Sequence, residues 1–196
     1  MIYSADIAAG SLKLAETRII AGLLLKGLRE EEFWNTVMYE NILQARNVAS
    51  ARRYARLILN RLSSMTEELW ILIHDGSKEI ATHAAFAAAV KHSRLLGDFL
   101  DLVVRQEYRT FGKVLPKRIW EPYLEDCRAR DPEMPQWNDS TIRRLRSSVF
   151  QILAQAGFID NTRSLNLQNV RIVHEVVDYL EIHQENYVLR CFTISP

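Results

Sequence analysis

Residues 41–66 read "NILQARNVASARRYARLILNRLSSMT": five arginines and no acid, in a chain whose formal net charge is only +1. On a helical wheel, at about 100° per residue, Ala51, Ala55, Ile58 and Leu62 fall on one side. Arg52, Arg53, Arg56 and Asn60 fall together on the other. The stretch therefore predicts a helix that packs through an aliphatic face and turns an arginine face outward. Asn47 or Ser50 is placed to cap its start, and Arg46 adds a cation just before it.

Working outward, "SLKLAETRIIAGLLLK" (11–26) has the three-to-four spacing of an amphipathic helix, with Gly27 as its stop. "REEEFWNTVMYEN" (29–41) follows, with acids in its first turn as the helix dipole favours. These two and the arginine helix, joined by a short loop at 42–47, have the order of a helix-turn-helix unit, in which one helix enters the major groove. The alternative is a solvated side of a bundle helix. Solvated faces usually mix signs, however, and no acid occurs between Glu40 and Glu67.

Further along, residues 66–76 predict a helix ended by Gly76, and Ser77 caps the next one, to residue 92. Helices are also expected over 94–109, from Pro116 to about Arg130, and over 140–157. In the last of these, Ile142, Leu145, Val149, Ile152 and Leu153 form the apolar stripe. Arg143, Arg144, Ser147, Ser148 and Gln151 share the opposite face, capped by Asp139 or Ser140. Arg and Gln with short hydroxyls can bond base edges and phosphates. Arg146, at the margin, suits an ion pair. Phe158–Ile159 and Leu165–Leu167 flank polar turn residues and predict a small hairpin carrying Arg163. Three helices followed by a hairpin is the order of a winged helix. Residues 174–183 return to helix, and the tail 186–196 fits strand or helix.

The fold class expected is mainly α: a helical bundle with a helix-turn-helix module and a C-terminal winged-helix-like part with one small β-hairpin. The division is 1–92 and 93–196, sharing a core. Composition agrees. Of 196 residues, 48% are hydrophobic and 25% charged, with few Gly or Pro, which favours a folded helical chain. Arginine outnumbers lysine 19 to 6, and Arg is the cation that grips phosphate and guanine with a planar fork.

The residue pattern weighs against other functions. Cys127 and Cys191 stand far apart and fit a reducing cytosol. The first residues lack a signal-peptide pattern, and the longest apolar runs are about seven residues against the roughly 20 of a membrane span. The expected location is cytoplasmic, with no membrane contact. No His has a His or Cys three or four residues away, and no phosphate-loop, dinucleotide-loop or nucleophile-elbow pattern occurs. No metal, cofactor or catalytic residue is expected.

"YSADIAAGSLKLAETRIIAGLLLKGL" (3–28), "ASARRYARLILNRL" (49–62) and "WNDSTIRRLRSSVFQILAQAGFID" (137–160) together resemble BrxA, a family of small components of bacterial BREX phage-defence systems. The likeness covers nearly the whole chain in the same order. It implies a mostly helical protein with helix-turn-helix and winged-helix parts, likened to the antitermination factor NusB. It also implies DNA binding without catalysis. The inner-membrane label sometimes given to such proteins conflicts with the short apolar runs here. Residues expected to meet double-stranded DNA are Arg46, Arg52, Arg53, Arg56, Asn60, Arg143, Arg144, Ser147, Gln151 and Arg163. An adaptor docking these faces on acidic partners, such as other BREX proteins, and a NusB-like RNA-binding factor are the alternatives. The sequence leaves the oligomeric state open.

Overall fold

The computed structural model describes residues 2–8 and 10–194. Helices dominate, and their boundaries follow local chemistry. α1 (Leu14–Leu25) starts three residues later than the spacing predicts, because Lys13 is in the left-handed region at φ 53. The segment before it is tied elsewhere: Leu12 N–H donates to Gln155 Oε1 at 2.8 Å. Gly27, at φ 62, ends the unit as expected. α2 (Glu30–Met38) is shorter than predicted and leads into a loop where Asn41 and Gln44 take positive φ. Its first turn is closed by Glu32, which accepts from the Arg29 backbone N–H at 3.2 Å and from its guanidinium at 2.6 Å. α3 (Val48–Leu62) is capped by Asn47, whose Oδ1 accepts from Ser50 N–H at 2.8 Å. α4 (Glu67–Asp75) and α5 (Lys78–His92) follow, the latter capped by Ser77 as the sequence predicts.

α5 is the axis of the fold. Residues 83–90 are all buried, and five of the eight are alanine. A helix apolar on every side must be surrounded, and the small side chains let neighbours approach closely. α1, α3 and α4 pack against it from the first half of the chain. α6 comprises Arg94–Asp98, a π-helical stretch Phe99–Val104 and Arg105–Arg109. α7 (Trp120–Arg130) is entered through a 3₁₀ turn at Lys117–Ile119, just after Pro116. α8 (Asp139–Gln155) is capped by Asn138, Oδ1 accepting from Thr141 N–H at 2.9 Å, one residue before the expected caps. α9 (His174–Ile182) packs on α4 and α5, and α10 (Asn186–Phe192) on α5 and α6. The tail is thus helical as far as Phe192; residues 195–196 lie outside the described residues.

The buried residues of both halves form one cluster. Phe86 of α5 meets Phe158 and Phe192 at ring centroid distances of 5.4 and 5.0 Å. Phe99 of α6 lies against Trp120, Tyr123 and Phe150. Each fully buried large aliphatic or aromatic side chain stabilises by about 1.5–3 kcal/mol relative to exposure.

No strand is assigned among the described residues. The expected hairpin is reduced to an isolated antiparallel bridge, Ile159 with Leu167, and a second bridge joins Val114 to Asn166. Leu115 N–H donates to Leu165 O and Leu167 N–H to Lys113 O, each at 2.9 Å. The turn side chains compete for the backbone: Asp160 and Asn161 accept most of the N–H groups between 161 and 166 that a longer ladder would need.

Candidate nucleic-acid interface

α3 presents the predicted arrangement. Ala51, Ala55, Ile58 and Leu62 are buried, while Arg52, Arg53, Arg56 and Asn60 are exposed. Arg46 is also exposed, in a loop closed by Asn41, which accepts from Ala45 N–H and donates to Ala45 O. Among the described residues, no carboxylate pairs with Arg46, Arg52, Arg53 or Arg56. Arg53 instead lies over the Tyr54 ring, its Cζ 5.2 Å from the centroid, and Lys13 Nζ is 3.8 Å from the same centroid. The hydrogen bond from Arg53, helped by the charge of Lys13, lowers the pKa of the Tyr54 phenol.

The fifth arginine of the stretch behaves differently. Arg61 is 2% exposed, and one of its terminal nitrogens donates to Ser11 O at 2.9 Å. Its Nε has no partner among the described residues. Burial pushes its pKa down to about 10, the charge of Asp6 opposing that shift. The wheel already sets residue 61 beside Ile58 and Leu62, which is why it does not belong to the outward face.

The outer face of α3 is one wall of a cleft of about 760 Å³. Arg52, Arg53, Arg56 and Asn60 share it with Asp6, Met38, Val48, Leu57 and His92. Asp6 accepts from Ser4 Oγ at 2.7 Å and Ser93 Oγ at 2.6 Å. Burial lowers the His92 pKa; Asp6 pulls it back up and Arg61 pushes it further down. Asp6, Met38 and His92 come from three separate segments, so no local pattern could have marked them. Val48 is 52% exposed, a visible apolar side chain at the helix start.

On α8, Arg143, Arg144, Ser147 and Gln151 are exposed as predicted. Ser148 is not: it is 6% exposed, because it stands one turn from both Leu145 and Ile152 and so falls on the inner side. Arg146 pairs with Glu121 at 3.2 Å, the ion pair its marginal position suggests. Among the described residues, no carboxylate pairs with Arg143, Arg144 or Arg163. Lys117, Ser147, Gln151, Asn161 and Thr162 share a second groove of about 530 Å³, which brings the turn after α8 alongside its outer face. Arg163 projects from that turn, whose backbone is held by Asn161 Oδ1 accepting from Arg163 N–H at 2.8 Å and Ser164 N–H at 3.1 Å.

Among the described residues, no group of three or more His, Cys, Asp or Glu side chains is placed to hold a metal ion. No helix among them is long and apolar enough to cross a membrane. Both cysteines are free and buried.

The BrxA family model matches residues 1–184. A protein of Paramagnetospirillum magneticum (strain ATCC 700264 / AMB-1) named BREX protein BrxA is 50% identical over 193 residues, 98% of this chain and 97% of its own. One of the same name from Escherichia coli O9:H4 (strain HS) is 33% identical over 90% of this chain and 83% of its own. The crystal structure of an uncharacterized protein from Magnetospirillum magneticum superposes with a TM-score of 0.94 at 49% identity, covering 100% of both chains.

Proposed function

Because this chain belongs to the BrxA family, we propose that it is a non-enzymatic, duplex-DNA-binding component of a bacterial BREX anti-phage defence system. One observation carries the reading: two helices, α3 and α8, each expose arginines that no carboxylate of the described residues neutralises. Guanidinium groups that have no carboxylate partner, carried on rigid helices, are suited to phosphate. In this reading residues 1–92 form a helical part with a helix-turn-helix unit, and 93–196 a winged-helix-like part. The bridges at 114–166 and 159–167 support the second assignment. They join the segment between α6 and α7 to the turn after α8, as a winged helix joins its first strand to its wing. Arg163 then flanks α8 on the wing side.

If both faces meet one duplex, about 5–8 phosphates are neutralised, and affinity falls steeply with salt. The test is fluorescence anisotropy with labelled duplex at several salt concentrations. Replacing Arg52, Arg53 and Arg56 together by Ala should weaken binding to all sequences and reduce the slope of log K against log salt by up to ~3. Binding that is absent at low salt, or insensitive to salt, overturns the proposal. Structured RNA that outcompetes the duplex would replace it with an RNA-binding role.

A further inference from the structure

The segment that follows the turn after α8 carries an unfinished backbone ladder. Its first residues are bonded on both sides. Leu115 N–H donates to Leu165 O and Leu167 N–H to Lys113 O, each at 2.9 Å. Across the other edge, Asp160 N–H donates to Asn166 O and Gln168 N–H to Phe158 O, each at 3.0 Å. Antiparallel pairing of 115 with 165 and of 113 with 167 makes Phe111 the next partner of Asn169. The chain has turned off before that point. Phe111 is at φ 56, its N–H donates to Tyr108 O at 3.1 Å, and Gly112 N–H donates to Glu107 O at 2.8 Å. Residues 169–172 nevertheless run on without a turn or bend, alternately exposed and half-buried, with Asn169 and Arg171 outward. That is the two-residue period of a strand. Among the described residues, the backbone N–H and C=O groups of Asn169 and Arg171 have no partner.

We propose that residues 169–172 form a docking edge for an extended segment of a partner polypeptide, which adds a strand in line with residues 113–115. The vacancy itself selects the occupant. Donors and acceptors alternate along the edge, and another extended backbone supplies both in the right order. Phosphate oxygens accept but do not donate, so a nucleic-acid backbone would leave the carbonyls unmatched. A helix has already used its backbone groups internally. Val170 and Ile172 share a shallow groove with Val177 and Phe192, which gives apolar side chains of the added strand a surface to pack on. Arg171 is exposed, and among the described residues no carboxylate pairs with it. The partner strand therefore carries an acid beside it. A second copy of this chain fits poorly. Antiparallel pairing centred on Asn169 and Arg171 would set the two Arg171 side chains opposite or diagonal, where like charges repel. This edge uses none of the arginines assigned above to nucleic acid.

The probe is a short fluorescein-labelled peptide, Thr-Val-Glu-Val-Thr-Val, blocked at both ends and followed by anisotropy. The wild-type protein should bind it saturably, and the same peptide N-methylated throughout, which has no backbone donors, at least about tenfold more weakly. Asn169→Pro removes an edge donor that the fold does not use, so it should weaken the open peptide about tenfold at an unchanged urea midpoint. The N-methylated probe needs no variant and decides the matter even if Asn169→Pro fails to fold. Arg171→Glu should bind the peptide about fivefold more weakly and a version with Lys in place of its Glu about fivefold more tightly. Absence of saturable binding below about 1 mM, or equal binding of the N-methylated peptide, overturns the proposal. So does a folded Asn169→Pro that binds as the wild type does, or a charge preference left unchanged by Arg171→Glu. A wild-type dimer in sedimentation equilibrium that Asn169→Pro disperses would assign the edge to a second copy and overturn it as well.

Discussion

At the scale of single residues, His83 shows how burial becomes a pH response. It is buried on α5, and its Nδ1 accepts the Val173 N–H at 3.2 Å, so the neutral ring carries its proton on Nε2. Burial lowers its pKa, against the opposing charge of Glu79. The unfolded chain takes up a proton near pH 6.5, before the folded chain does. Stability is therefore intact above about pH 6.5 and falls as pH drops below it, by at most about 1.4 kcal/mol per unit for one proton. His92, also lowered, acts with the same sign. His83→Asn keeps an acceptor for Val173 and removes the titration. Urea unfolding at about pH 7.5 and 5.5 should show a smaller acid loss in the variant, by at most about 1 kcal/mol. Equal losses in the two proteins would refute this account.

Elements are where the sequence was most legible. The outward faces of α3 and α8 follow from spacing alone, because a helix with one aliphatic stripe has a single way to meet a core. The caps at Asn47 and Ser77 follow from side-chain chemistry. Asn47→Ala should cost about 1 kcal/mol in chemical denaturation, and Asn47→Ser much less. A loss confined to noise in both would mean that the cap contributes nothing to the folded state. Other features were hidden for physical reasons. Ser148 sits at a wheel margin, where polarity misleads and packing decides. The turn at 160–166 binds its own backbone through Asp160 and Asn161, which no hydrophobic alternation reports. The cleft beside α3 needs Asp6 and His92 to meet across the fold, a matter of tertiary geometry that no periodicity encodes.

For the molecule as a whole, Asp98 is the point where distant parts of the chain converge. Its side chain is buried and accepts from Tyr3 Oη at 2.7 Å and Tyr187 Oη at 2.9 Å. It pairs with Arg94 at 2.9 Å and Arg130 at 3.5 Å. Gly97 makes this possible, since a Cβ there would stand 2.2 Å from the Tyr187 hydroxyl oxygen. Asp98→Ala strands two phenols and two guanidinium groups at once. Because both arginines remain partly hydrated, the expected loss is about 3 kcal/mol, read from the urea midpoint. Tyr3→Phe and Tyr187→Phe should each lose about 1 kcal/mol. A wild-type midpoint in Asp98→Ala would show that the convergence is incidental.

The π-helical stretch Phe99–Val104 follows directly after that carboxylate. Its wider turn accommodates one surplus residue, which advances the phase of all that comes after by about 100°. Upstream, Asp98 addresses Tyr3 and Tyr187. Downstream, Arg105 reaches the carbonyls of Arg190 and Thr193, and Tyr108 that of Gln168. A uniformly wound rod could not aim at both sets of partners. Within this stretch the chain should consequently tolerate exchange of one apolar residue for another far better than a change in length. Deleting a single residue would rewind the coil and turn Arg105 and Tyr108 away from the carbonyls they now hold.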